Sequence, residues 1–533
     1  MAKRRRESEP PQRLVHSGKL GDRRSNFLII IAIVSAVYII FFANLNYYYD
    51  WDTFDYAIGL KDGGPRFSPG GSGVHVLVPI LASSLVYLGV DPLSALRVFT
   101  ALFMLVFVLG AYRLAYDETG DDSLAFLMGL FILFNVGYTF LLTSLEDNVW
   151  MYGFLTPFVI FLLRKRWVLS ALFLSFGILV HIQAEVFIPM FLLYIILELH
   201  LLDFLKGDDG SVKGLRESVS SPQMRTFASA LAALFAPLFL AYGYLVLVKG
   251  WTLKGIFTLF TANQSWLHGD EGLLYFTSGV GIADQMRLIS FGYLSTFVFS
   301  FTESRGQIST FLYRYPDRVP SVNFAIFCGA IFALLLLYLL VRSFKPNFKA
   351  LCAVPTFLVL LFHAMIYESW CVERWDFMPF FVMYFVAVGY SSQADGVKVR
   401  LKQVLMVAVV LSFAFTAVGF YAITGFQESS ICAYSDELGD LLDDRSVALD
   451  MTIPSTHSYG RHLIYNCGDK IVFPTEQAID LSELFRKNMV YTSYTSYQSL
   501  QQLNPNVKIG ANTVWLNKID NLFSIVRLSI AGA

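Results

Sequence analysis

Eleven apolar runs, each about as long as a lipid bilayer is thick, constrain this chain more than any other feature of its sequence. A transmembrane helix needs about 20 mostly apolar residues to cross the hydrocarbon core. Only 15% of the 533 residues are charged, whereas proteins that fold in water average about 25%. The sequence therefore predicts a polytopic α-helical membrane protein with about 11 transmembrane helices. The predicted spans are 27–43, 96–115, 124–143, 149–163, 167–183, 186–203, 226–248, 323–341, 349–367, 376–391 and 403–424.

The distribution of Lys and Arg predicts the orientation of these helices, because cytoplasmic loops carry an excess of both. Two weaker apolar runs, 74–90 and 288–301, decide the count. If neither run crosses and the basic N-terminus is cytoplasmic, every short basic segment falls on the inner face. A crossing by either run would move two of these segments outside, so we expect both runs to be interfacial or re-entrant helices on the outer face. The basic segments are 164–166, 204–225, 342–349 and 398–402, and the inner segment 117–122 is instead acidic.

Three regions follow from this topology: a basic cytoplasmic tail over 1–26, a transmembrane domain over 27–424 and an extracytoplasmic domain over 425–533. The transmembrane domain has two long outer loops, 44–95 and 249–322. The C-terminal region alternates short β-rich runs with helix-like stretches, which predicts a small α/β domain. The expected membrane is the plasma membrane, or the endoplasmic reticulum if the source is eukaryotic. The expected strands are 447–449, 463–465, 471–473, 489–494, 513–516 and 523–528.

Two acidic clusters follow the first and third spans, at the predicted outer face. Asp50 and Asp52 belong to the first cluster, and Glu146 and Asp147 to the second. Either cluster is also what an ordinary solvated helix end or loop contains. A carboxylate held beside an acceptor hydroxyl or amine can act as a general base, which makes these four residues the candidate catalytic residues. Carboxylates also suit Mg²⁺ or Mn²⁺; no motif requires a cofactor, and a divalent cation is an open alternative.

A third polar cluster, 368–376, lies between two late spans and contains Glu373 and Arg374. An arginine at the end of a span can simply anchor the helix by reaching towards water. Its planar guanidinium is equally suited to a bidentate contact with a phosphate. Arg374 is therefore a candidate phosphate-binding residue, with Glu373 holding its geometry.

Two histidines lie at the predicted membrane boundary. His75 begins the weak apolar run 74–90, directly after a glycine-rich loop. His181 lies with Gln183 at an outer junction between two spans. Each histidine can be an interfacial hydrogen-bonding residue, but ionisable groups at membrane depth usually serve a function. We therefore take His75 as a candidate for the phosphate site, and His181 and Gln183 as candidates for substrate binding.

Five motifs follow one another along residues 27–392. They are Asp52-Thr53-Phe54-Asp55-Tyr56-Ala57, Val74-His75-Val76-Leu77-Val78-Pro79, Gly89 with Ala95-Leu96-Arg97, Glu146-Asp147, and Arg374-Trp375 followed by Pro379. In this order they resemble the C-type (GT-C) glycosyltransferases, especially the protein O-mannosyltransferase and aminoarabinose-transferase branch. Two motifs depart from the family pattern, because Thr53 replaces an acid and a double proline is reduced to Pro79.

The resemblance implies inverting transfer of one sugar from a polyprenyl- or dolichyl-phosphate donor at the outer or luminal face. Asp52 would be the general base, with Asp50 as the runner-up, and Arg374 would bind the donor phosphate. Tyr56 and Trp375 become candidates for substrate binding. The sequence lacks the tryptophan-rich motif of the larger oligosaccharyltransferases, which makes an oligosaccharide donor less favoured.

The expected partners are membrane lipids, a polyprenyl-phosphate-linked sugar and a lipid, glycan or protein acceptor. A net charge of −1 provides no global field for nucleic acid. The chain also lacks a nucleotide-type phosphate loop and a GxSxG elbow. A lipid or sugar transporter or flippase is the main alternative, but it would carry charged residues near the bilayer midplane. A receptor or assembly scaffold is a further alternative, and it would need no acids at its helix ends.

Overall fold

Apolar helices make up most of the protein. The computed structural model describes residues 20–45, 51–61, 75–201, 221–252, 319–366, 375–424, 430–451, 458–474, 484, 489–503, 509–516 and 523–530. Before residue 425, the described segments are helices joined by turns. These helices are α1 (Leu20–Ala43), α2 (Trp51–Lys61), α3 (Leu77–Val86), α4 (Pro92–Thr119), α5 (Asp122–Leu133), α6 (Val136–Thr143), α7 (Asp147–Leu163), α8 (Trp167–Val180), α9 (Ile188–Glu198), α10 (Pro222–Leu247), α11 (Val319–Ser343), α12 (Phe348–Ile366), α13 (Phe377–Tyr390) and α14 (Asp395–Thr424).

Within the described segments, four helices are long and apolar enough to cross a membrane, namely α4, α10 and parts of α1 and α14. The pair α5 and α6, bent by 48°, makes a fifth if it is one span. Each of the predicted spans overlaps a described helix or this bent pair. The chain is therefore an integral multi-pass membrane protein. The number of helices that cross and the face that is cytoplasmic stay predictions.

Two predicted spans are interrupted by polar residues. The 124–143 span breaks after α5, where the side-chain oxygen of Asn135 accepts from the backbone N–H of Tyr138 at 3.2 Å and caps α6. The 167–183 span ends at Val180, because His181 leaves the helical conformation with φ of −148° and begins a short 3-10 turn. Mean hydropathy does not reveal such breaks, since one polar residue changes the average over a span very little.

Helix α13 lies in the core, and all of its residues are buried. The Phe380 ring in α13 packs against the rings of Tyr152 in α7 and Phe187, with centroid distances of 5.4 and 5.6 Å. Helices α4 and α7 approach so closely that a Cβ atom added at Gly110 would lie 2.4 Å from Thr156 Cγ2. This packing fixes α7, and with it the position of its first residues.

The C-terminal part contains a five-stranded mixed sheet with the strand order β2-β1-β3-β5-β4. Strands β2, β1 and β3 are parallel, and Ala448 pairs with both Ile471 and Tyr491. Strand β5 is antiparallel to β3 and β4. The elements are α15 (Ser430–Leu441), β1 (Ser446–Leu449), α16 (Ser458–Cys467), β2 (Ile471–Val472), β3 (Met489–Ser493), α17 (Tyr494–Leu503), β4 (Ile509–Trp515) and β5 (Ile525–Ile530). Helices α15 and α16 pack on each other, and α17 packs on the sheet.

Five of the expected strands coincide with strands of this sheet, and one expectation is wrong. The run 463–465, expected as a strand, lies inside helix α16. Three apolar residues fit either structure, because so short a run has no measurable period. The boundary of a separate domain over 425–533 stays a prediction.

Candidate active site

The candidate site forms where α7 begins, directly after the turn that joins it to α6. Leu145 in this turn has a φ of +60°, a left-handed conformation that is uncommon outside glycine. The hydroxyl of Thr53 in α2 donates towards the backbone carbonyl oxygens of Ser144 and Leu145, at 3.2 and 3.4 Å. Thr53 is buried, so these contacts tie α2 to the turn away from water.

Asp147, the first residue of α7, is at the centre of a buried polar group. Its Oδ2 atom accepts from the Tyr56 hydroxyl at 2.8 Å and lies 2.6 Å from Nδ1 of His75. The Tyr56 hydroxyl also lies 2.8 Å from the same nitrogen of His75. Each of the three residues is only 5% exposed. Helix α2, the segment just before α3 and the start of α7 therefore meet at one carboxylate.

His181 completes the group from the junction after α8. Its Nε2 lies 4.0 Å from Asp147 Oδ1, and its ring centroid lies 4.7 Å from that of His75. Its Nδ1 accepts from the backbone N–H of Gln183 at 3.3 Å. Because Nδ1 is the acceptor, the neutral ring carries its proton on Nε2, which is the atom nearest Asp147. We refer to Tyr56, His75, Asp147 and His181 as the Asp147 cluster.

The neighbours of Asp147 stabilise its negative charge. Asp147 precedes the predicted span 149–163, and its position at the start of a helix favours an anion. Burial works to raise the pKa of this carboxyl, but the adjacent His75 ring, with His181 and Tyr56, outweighs burial and holds the pKa below the usual range of an aspartate. These neighbours therefore favour the negatively charged form of Asp147. A carboxylate beside an imidazole fixes the orientation of the ring and stabilises its protonated form.

A second buried carboxylate, Asp376, is held by the first turns of α7. The Asn148 amide donates to Asp376 Oδ2 at 2.9 Å, and the Tyr152 hydroxyl donates to Oδ1 at 2.6 Å. The Tyr138 hydroxyl in α6 donates to the backbone carbonyl of Asp376, also at 2.6 Å. These bonds fix the residue that precedes α13, and so fix the end of the polar cluster 368–376.

The structure describes some of the other predicted site residues fully, one in its backbone only, and some not at all. Glu146 and Trp375 are buried; Glu146 immediately precedes α7, and the Trp375 ring stacks on that of Phe377 with centroids 6.4 Å apart. Asp52 lies in the first turn of α2, one turn before Tyr56, but its side chain is outside the described part of the structure. Wholly outside it are Asp50, Glu373 and Arg374. Their positions in the site stay predictions.

The residues around Asp147 do not form a metal site in the part of the chain that the structure describes. Among the residues that the structure describes, no group of three or more His, Cys, Asp or Glu side chains is arranged to hold a metal ion. In the Asp147 cluster, Asp147 Oδ2 already accepts from Tyr56 and contacts His75. The divalent cation that the sequence leaves open would use acids of both clusters, and the side chains of Asp50 and Asp52 lie outside the described part.

The sequence analysis assigns no role to four residues that shape this region, namely Thr53, Asn148, Tyr152 and Asp376. Thr53 is conspicuous only as a departure from the family motif. Its hydroxyl can donate to the carbonyl groups of the turn before α7, whereas an ionised acid at position 53 cannot. Asn148 and Tyr152 carry a usable signal, because polar residues four apart share one helix face.

No protein-family profile and no curated protein sequence matches this chain. Solved structures resemble its fold. ArnT from Cupriavidus metallidurans, bound to undecaprenyl phosphate, aligns over 95% of this chain and 99% of its own, with 11% identity and a TM-score of 0.49. The archaeal oligosaccharyltransferase AglB from Archaeoglobus fulgidus, in complex with an inhibitory peptide and a dolichol-phosphate, aligns over 90% of this chain and 70% of its own, with 10% identity and a TM-score of 0.43.

ArnT and AglB are both GT-C glycosyltransferases, the class that the sequence motifs of this chain resemble. At TM-scores below 0.5 the likeness does not bear on chemistry. The function proposed below therefore rests on the chain's own residues.

Proposed function

We propose that this protein is a membrane glycosyltransferase that moves one sugar from a polyprenyl- or dolichyl-phosphate donor to an acceptor, with inversion at the anomeric carbon. The observation that carries the proposal is the Asp147 cluster, in which a carboxylate, two imidazoles and a phenol are buried together. Burying an ionised group is costly, and well-packed apolar residues often stabilise a buried position equally well or better. Such groups in membrane proteins usually serve a function.

Three residues of the Asp147 cluster belong to the sequence motifs that resemble those of GT-C enzymes. Tyr56 belongs to the first GT-C-like motif, His75 to the second and Asp147 to the fourth, although these motifs lie up to 91 residues apart in the chain. Their contact supports one shared site. His181, whose Nδ1 is bonded by the backbone N–H of Gln183, would donate a hydrogen bond to the hydroxyl group of the sugar acceptor.

Asp52 is the proposed general base, and Asp50 is the alternative. The base takes the proton of the acceptor hydroxyl or amine as the acceptor atom bonds to the anomeric carbon. The bond between that carbon and the phosphate oxygen breaks, and the polyprenyl phosphate leaves with the electron pair. The Asp147 cluster would hold the acceptor in line for this attack, with Glu146 beside it.

Negative charge grows on the leaving phosphate, and Arg374 is proposed to bind it. Glu373 would hold the guanidinium, and Trp375 would pack beside the donor. The support for this assignment is the position of Asp376, which the first turns of α7 hold within the same buried region as the Asp147 cluster.

The direct test is transfer from a panel of radiolabelled polyprenyl-phosphate sugars into total membrane acceptors, using purified protein in liposomes. We expect the wild type to transfer label from one donor and Asp52→Asn to lose about 100-fold or more of that rate. Transfer that survives in Asp52→Asn and disappears in Asp50→Asn would move the base to Asp50.

The matched control is Asp117→Asn, since Asp117 lies near the other end of the helices and pairs with Arg164 and Arg113. It should transfer sugar at the wild-type rate. If folded wild-type protein transfers label from no donor, the glycosyltransferase proposal is wrong, and a flippase assay with the same labelled lipids becomes the next experiment.

A further inference from the structure

Helix α16 of the C-terminal part packs against α2, the helix that contains Asp52 and Tyr56. We infer that this contact makes the C-terminal part a positioning element for the candidate site. The catalytic consequence rests on the proposed function, whereas the docking rests on contacts alone.

An aromatic stack forms the centre of the contact. The Phe54 ring in α2 and the His462 ring in α16 lie almost parallel, with centroids 4.5 Å apart and an interplanar angle of 20°. Both side chains are 1% exposed. His462 Nε2 also lies 3.1 Å from Asp436 Oδ1 in α15. The His462 imidazole therefore connects α15 in the C-terminal part to Phe54 in α2.

A second set of contacts lies at the end of α2. The Lys61 ammonium donates to the backbone carbonyl of Tyr465 at 2.6 Å and lies 4.6 Å from the centroid of its ring. The Tyr465 hydroxyl donates to Asp91 Oδ1 at 2.7 Å. Asp91 caps α4 through the backbone N–H of Ser94. Tyr465 thereby links the end of α2 to the start of α4.

Helix α2 depends on such contacts for its position. It has 11 residues, and isolated helices shorter than about 12–15 residues are marginal in water. Thr53 and Tyr56 attach it to the α6–α7 turn and to Asp147, while Phe54 and Lys61 attach it to α16. Loosening either attachment moves the segment that carries the proposed base relative to Asp147. Even a small misplacement of reacting groups lowers the reaction rate strongly.

Three variants of the full-length protein separate positioning from general stability. His462→Ala removes the ring that stacks on Phe54 and the bond to Asp436. Asn466→Ala also removes a bond to Asp436, and one to Ser435, on the same helix, but Asn466 supplies none of the contacts to α2 described above. His462→Phe keeps a stacking ring and loses only the bond to Asp436.

The first readout is backbone amide hydrogen exchange in the peptide that spans α2. We expect exchange about tenfold faster in His462→Ala than in Asn466→Ala, with His462→Phe near the wild type, because only the first variant loses the stack. Equal exchange in His462→Ala and Asn466→Ala would overturn the inference. If His462→Ala does not fold, Lys61→Met replaces it, because it removes the bond to the Tyr465 carbonyl, and it should speed exchange in α2 about fivefold.

The second readout is the split between kcat and KM in the transfer assay. His462→Ala should lower kcat about tenfold with little change in the KM of the donor, and His462→Phe should restore it. An unchanged kcat in a protein with faster exchange in α2 would overturn the positioning role. If the wild type transfers no sugar, the proposed function fails, and the exchange experiment still decides whether α16 holds α2.

Discussion

The two ends of helix α7 differ in whether their charged groups are buried or exposed. At its start, Asp147 is buried among Tyr56 and two histidines. At its end, Arg164 and Lys165 are substantially exposed and form ion pairs with acids of other helices. The buried end is costly to assemble, and the exposed end is not. This contrast suggests chemistry at the first end and structural support at the second.

Ion pairs at the exposed end account for the acidic segment 117–122, which the rule of positive cytoplasmic loops does not explain. Asp117, Glu118 and Asp121 lie between α4 and α5 or at the end of α4, in a segment expected to be cytoplasmic. They pair with Arg164, Lys349 and Lys402 respectively. Each of these cations comes from a different basic segment expected at the same face. The acids therefore neutralise that face and join α7, α12 and α14 to the α4–α5 junction.

The largest expected effect on stability is at the buried end. Asp376→Ala should lower the free energy of unfolding by about 2–5 kcal/mol, because the Tyr152 hydroxyl and the Asn148 amide lose a buried acceptor. Thermal and denaturant unfolding in detergent micelles measures the change. Asp117→Ala, at the exposed end, is the control and should change stability by less than about 1 kcal/mol. Equal losses in the two variants would remove the distinction between the ends.

Double-mutant cycles compare the two ends directly. The cycle between His75 and Asp147 should give a coupling energy of about 1–3 kcal/mol, since the pair is buried and in contact at 2.6 Å. The cycle between Arg164 and Asp117 should give less than about 1 kcal/mol, because solvent screens that pair. Alanine variants and unfolding measurements supply both values. A larger coupling at the exposed pair would contradict the comparison.

Thr53→Val should cost about 1 kcal/mol, because it removes the hydroxyl that bonds to Ser144 and Leu145 while keeping the shape of the side chain. Thr53→Ser keeps the hydroxyl and should recover most of the loss. In the transfer assay, the valine variant should also have a lower kcat, since α2 loses its attachment to the turn before Asp147. Identical unfolding curves for the valine and serine variants would show that the hydroxyl does not hold this turn.

The smallest expected effect depends on pH at the exposed end. Although burial opposes it, the hydrogen bond from Lys402 and contacts with Leu124 and Ser123 lower the pKa of Asp121 from 3.8 to about 2. A lowered pKa means that this stabilisation is present above pH 3.8 and is lost as the pH falls through 2. Partial exposure limits it to less than about 1 kcal/mol. Lys402→Met should flatten the dependence of stability on pH across this window, and an unchanged slope would contradict the assignment.

Much of the helical part can be predicted from the sequence, because long apolar runs have few other ways to fold in a membrane. His75, Asp147 and His181 can each be singled out as polar residues at helix ends, and Tyr56 through the motif that contains it. The fold brings their side chains together. The bonds of Thr53 and the break at Asn135 are less predictable, since both depend on one hydroxyl or amide meeting a particular backbone group. The run 463–465 is too short for its period to distinguish helix from strand, and it is part of the helix that docks on α2.

The most direct test of the account compares Asp147→Asn with Asp117→Asn in the sugar-transfer assay. The two substitutions make the same chemical change, one in the buried cluster and one in an exposed ion pair. We expect Asp147→Asn to lower kcat about 100-fold in a folded protein, because the acceptor is no longer held in line. Asp117→Asn should retain the wild-type rate. Equal rates in the two variants would contradict the assignment of the active site to the start of α7.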